Sequence, residues 1–178
     1  MRDEGNEDRY DLARMIAGSL YQGLFINILL PAGLLLAAYV IEQRGGLGNA
    51  LGAAANPLFY VLAVVSVAEG AAAVLWRSKT LALPMVRRIE TLEEDIRGEL
   101  RVRLRPVFLL IAGIALNGFA YFLLTGRFRE GLVFVVLSFL AFQIVRPRYG
   151  MVRGLIKQQE DLAARGLLRT QRRPGELT

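Results

Sequence analysis

The run MIAGSLYQGLFINILLPAGLLLAAYVI, from Met15 to Ile41, spans 27 residues without a formal charge, and Arg14 and Glu42 bound it. An α-helix rises ~1.5 Å per residue, so about 20 residues cross about 30 Å of hydrocarbon. The run therefore reads as a membrane span, and three more apolar runs follow it. Pro57 to Trp76 has 20 residues broken only by Glu69, and Pro106 to Gly126 has 21 between Arg105 and Arg127. The last, Gly131 to Val145, has 15 and spans only if Arg129 and Arg146 snorkel outward from its ends. A cleaved signal peptide is the rival reading of the first run. Its acidic flank, its length and the lack of a clean A-x-A site favour a retained span.

Composition agrees with a bilayer environment. Of 178 residues, 54% are hydrophobic, and there is neither cysteine nor histidine. That excludes a disulfide scaffold, a zinc module, a thiol nucleophile and a Ser-His-Asp triad. No phosphate-binding loop, zinc-protease helix or dinucleotide fingerprint is present. The sequence thus offers no catalytic residue, metal site or cofactor, and the chain reads as a non-enzyme. A net charge of +6 raises the question of nucleic acid. The basic residues instead flank the apolar spans, which is how membrane anchors are placed, so no nucleic-acid partner is expected.

Lys and Arg divide unevenly between the connections. The segment before the first span, the connection between the second and third, and the tail from Arg146 onward together hold 19, against 3 in the other two loops. The positive-inside rule then places both termini in the cytoplasm of a multi-pass protein of a cell membrane, an inner membrane where a cell has two.

The expected fold is all-α: one integral membrane domain, residues 1–178, of four transmembrane helices arranged as two hairpins, each followed by an amphipathic cytoplasmic helix. The spans are about 15–41, 57–76, 106–126 and 130–146, and the cytoplasmic helices about 85–104 and 150–168. Gly45 to Gly52 is too rich in glycine for a helix and reads as a loop on the outer interface. Each half carries a similar motif. Met85-Val86-Arg87-Arg88-Ile89 recurs as Met151-Val152-Arg153-Gly154-Leu155, and Glu94-Asp95-Ile96 as Glu160-Asp161-Leu162, at one offset of 66 residues.

In the first cytoplasmic helix, Ile89, Leu92, Ile96 and Leu100 recur at helical spacing, and Glu93–Arg97 and Glu99–Arg103 support it at i,i+4. Its acidic residues disfavour a purely lipid-facing stripe. The stripe is expected to meet the tail helix or a partner subunit, and its four residues are the partner-contact candidates.

Glu69 is the one formal charge inside a span. Placing an acid there costs ~2.5–3.5 kcal/mol on insertion scales, so it should face protein or a water cavity. Counted from the same side, Asn27 falls at a similar depth and offers an amide, which makes Glu69 and Asn27 the candidate ion or proton site. Pro31 can free backbone carbonyls beside Asn27. The plainer reading of Glu69 is an interhelix hydrogen bond worth about 1 kcal/mol. Gln22, Asn117, Ser138 and Gln143 are the other polar residues within the spans. Tyr21, Tyr39, Tyr60, Tyr121, Trp76 and Tyr149 fall near span ends, where aromatic anchors belong.

The function expected is that of a small polytopic subunit or scaffold of a membrane assembly. Its partners would be the lipid bilayer, further copies of itself or other membrane subunits. The alternative is an oligomeric transporter or channel in which Glu69 responds to protons or cations.

Overall fold

The computed structural model describes residues 10–48 and 50–168, and the side chain of Ile89 lies outside the described residues. Among the described residues all regular structure is helical. Four helices are long and apolar enough to cross a membrane: α1 (Leu12–Gln43), α2 (Ala55–Ala82), α3 (Leu92–Thr125) and α4 (Phe128–Val145). A fifth, α5 (Tyr149–Ala164), follows α4 after a short elbow and buries Val152, Leu155, Ile156 and Gln159.

Local chemistry explains where these helices begin, bend and stop. Asp11 accepts from the backbone N–H of Arg14 at 3.0 Å and caps the start of α1. Midway, α1 widens into a π-helical turn at Phe25–Leu29. Pro31 follows directly; it has no N–H to give, and its ring would crowd the carbonyl one turn back, so a wider turn relieves the conflict. α2 ends at Leu83, which is extended, as a residue preceding proline tends to be.

The central unit is the antiparallel pair α3 and α4. Only Gly126 and Arg127 connect them, and Gly126 takes φ +69°, a left-handed cap where a side chain would be strained. The backbones nearly touch at Gly118 and Gly131: a Cβ on Gly118 would lie 2.6 Å from the Gly131 carbonyl oxygen. Further along, the Ser138 hydroxyl donates to the Ile111 carbonyl at 2.9 Å, and Phe108 meets Phe142 edge-on at 5.9 Å.

α1 and α2 each lean on this pair and hardly touch one another. The first two spans therefore do not close into a packed hairpin of their own. Their connection explains the difference. Gly45, Gly46 and Gly52 all have positive φ, and so long and irregular a link lets the two helices stand apart.

Leu47 reaches the Gly126 turn, so the C-terminal end of α1 and the α3–α4 turn share one end of the bundle. At the opposite, arginine-rich end, the Tyr10 hydroxyl donates to Glu160, and Gln159 accepts from the backbone N–H of Met85. There the structure departs from the expected helix at 85–104. Residues 83–88 are not helical, a 3-10 turn covers Ile89–Thr91, and α3 then runs unbroken from Leu92 into the third span. Pro106 removes one helical bond, to the carbonyl of Val102. Val102 is exposed, so the freed carbonyl need not be buried.

The repeated motif does not adopt one structure twice. Met151–Leu155 lies in α5, whereas Met85–Arg88 is non-helical behind Pro84. The stripe of α3 is likewise occupied from within. Leu92, Ile96 and Leu100 are 2%, 0% and 0% exposed, in a core shared with Met15, Met85 and α5's Val152 and Ile156. These three residues consequently offer no surface to a partner chain. The packing that an apolar stripe requires is met by the chain's own tail helix and first helix.

Candidate functional site

Glu69 sits near the middle of α2, on the side facing α3. Gly113 leaves room for it: a Cβ there would lie 2.9 Å from Oε1. One turn along α3, Asn117 Nδ2 donates to Glu69 Oε2 at 3.0 Å and to Ser66 Oγ at 3.2 Å. Three polar side chains on two helices thus meet around one amide. Ser66 is buried, while Glu69 and Asn117 are only half-buried. Beside the pair, Val65, Ala68, Ala72 and Trp76 leave one face of α2 exposed.

Asn27 does not join this cluster. It is 1% exposed in the π-turn of α1, and its Nδ2 donates to the Gly23 carbonyl at 3.2 Å. Equal depth fixed its height in the bundle but not its direction, and α1 packs on α3 and α4 rather than on α2. The amide that reaches Glu69 belongs to Asn117, which the sequence marks only as another polar residue within a span. Asn27 Oδ1 is buried without a protein partner, as is Gln22 Oε1. Ser138 serves the α3–α4 contact already described. Gln143 contributes its backbone carbonyl, which accepts from Arg148 Nη2 at 2.8 Å.

Polar ties at both helix ends escape sequence inspection. Arg103, held by Glu99 at 2.9 Å, also donates to the carbonyls of Leu83 and Pro84, at 3.2 and 2.8 Å. It closes the chain end of α2, where carbonyls lack helical partners. The i,i+4 pair with Glu99 was legible; the carbonyl targets were not. At the opposite end, Glu130 accepts from the Tyr121 hydroxyl and from Arg127, which also donates to Asn56 Oδ1 at 2.6 Å. Tyr121 is fully buried, so it is a core residue and not an interfacial anchor. Tyr21, Tyr39, Tyr60, Trp76 and Tyr149 are all exposed.

Among the described residues no group of three acidic side chains could hold a metal ion. No family model matches the sequence, and no curated protein or solved structure is significantly similar to it.

Proposed function

We propose that the chain is a non-enzymatic subunit of a membrane assembly, docking another membrane helix against the exposed face of α2 beside Glu69. The half-buried state of Glu69 carries this reading. A carboxyl group within a span is costly unless protein or water surrounds it, and the chain's own helices cover Glu69 only in part. Val65, Ala68, Ala72 and Trp76 share its side of α2 at three- and four-residue spacing, and all are exposed. Small residues at Ala68 and Ala72 allow the close backbone approach typical of helix contacts in lipid. The partner would be a second copy or another membrane subunit. The orientation that goes with this reading is arginine-rich end and both termini in the cytoplasm, by the 19-to-3 division of basic residues. Replacing Ala72 with leucine tests it: the bulk should block docking and reduce the assembled species in mild detergent, with the fold of the chain unchanged.

A second reading is favoured by the same cluster. Glu69, Asn117 and Ser66 gather oxygens and an amide within the spans, an arrangement suited to coupling with protons or cations. Glu69→Gln keeps the shape and hydrogen bonding of a neutral carboxyl but cannot titrate. Under this reading it abolishes flux in proteoliposomes while assembly stays normal. Absence of flux in the parent protein between about pH 5 and pH 8 removes the reading.

A further inference from the structure

At the arginine-rich end, a groove of about 500 Å³ opens between α1 and the elbow that joins α4 to α5. Ala17, Leu20 and Tyr21 form one wall, and Arg146, Arg148 and Tyr149 the other. The two walls differ in character. Along α1 the lining is apolar at Ile16, Ala17 and Leu20. Across from it, two guanidinium groups stand where α4 stops.

Several features make this a place for a negative charge. Arg146 and Arg148 are both exposed, and neither forms an ion pair with an acidic side chain among the described residues. Pro147, which is buried, fixes the backbone between them. Arg148 is steadied by the Gln143 carbonyl at 2.8 Å, and Arg77 of α2 reaches the same elbow through the Ile144 carbonyl at 2.9 Å. α5, 16 residues long, begins at the groove with no side chain capping its first turn, which adds the partial positive charge of a helix start. Tyr21 and Tyr149 are 71% and 61% exposed on either side, an amphipathic rim of the kind found at headgroup level.

An anion and an apolar chain side by side are what an anionic phospholipid presents. We propose that this groove binds such a lipid, its phosphate held by Arg146 and Arg148 and its acyl chain lying along Ala17 and Leu20. The site is built at the depth where α4 ends, so the headgroup meets the arginines without either leaving the interface.

The test uses the full chain in nonionic detergent, titrated with palmitoyl-oleoyl phosphatidylglycerol or phosphatidylcholine and followed by native mass spectrometry. Micelles have no sides, so the result is independent of the orientation and of the assembly proposed above. Phosphatidylglycerol should bind more tightly than phosphatidylcholine, and Arg146→Gln should weaken it about five- to tenfold. Because the Arg146 side chain makes no hydrogen bond within the described chain, that variant should melt like the parent. Arg88→Gln, an exposed arginine at the same end but outside the groove, should leave the binding unchanged. Equal binding of both lipids, or an equal loss in Arg88→Gln, overturns the proposal. So does complete displacement of the lipid by about 10 mM inorganic phosphate, which would assign the groove to a free anion.

Discussion

Asn117 ties α3 to α2 by placing one amide nitrogen 3.0 Å from the carboxyl group of Glu69 and 3.2 Å from the hydroxyl of Ser66. In lipid such bonds average less than about 1 kcal/mol, but leaving a buried polar group unpaired costs about 1–3 kcal/mol. Asn117→Leu should therefore lower the thermal midpoint in detergent by more than the bond alone implies. Glu69→Leu combined with Asn117→Leu should recover much of that loss, since both partners are then apolar. A double variant that sums the two single losses would show that the pair does not interact.

The close passage of Gly118 and Gly131 gives a second expectation. A Cβ at Gly118 would stand 2.6 Å from both the Gly131 carbonyl and the Phe134 Cβ, and backbone is slow to yield. Gly118→Ala should destabilise by about 1–3 kcal/mol, the usual range for overpacking. Gly98→Ala, where nothing lies within 4 Å, should instead stabilise by up to about 1 kcal/mol through helix propensity. Paired melting curves of the two variants check this.

The buried stripe of α3 gives a third. Ile96 is fully enclosed by the chain's own helices, so Ile96→Asp should open the arginine-rich end. Limited proteolysis should then cut within 83–88 or α5 at protease levels that leave the parent intact. Unchanged cleavage would mean that α5 does not cover this face.

These three cases show what the sequence carries and what it omits. Charge-free length marks the spans because burying an ion in hydrocarbon is expensive, and that constraint acts on each helix separately. Glu69 stands out for the same reason. Its partner does not, because matching depth to Asn27 sets only a height, whereas the direction each helix faces depends on which neighbours it packs against. The period of Leu92, Ile96 and Leu100 likewise reports that a face is buried without naming what covers it. Motif similarity between Met85–Arg88 and Met151–Leu155 does not carry over to structure, because the first copy's backbone N–H groups are taken elsewhere: that of Met85 donates to Gln159 and that of Arg87 to Asp95.

Topology gives a fourth expectation. Reporter fusions after Thr178 and within residues 90–101 should read as cytoplasmic, and one at Gly48 as external, if the basic residues set the orientation. A cytoplasmic signal at Gly48 would contradict the four-span arrangement.

The most direct test of assembly along the exposed face of α2 beside Glu69 uses the absence of native cysteine. A photoactivatable maleimide placed at Ala72→Cys, and for comparison at Leu36→Cys on the exposed face of α1, can be activated in intact membranes. Docking along that face predicts a discrete protein adduct from position 72, none from position 36, and loss of the adduct when Ala68 is also changed to leucine. Labelling of lipid alone from both positions would contradict the account.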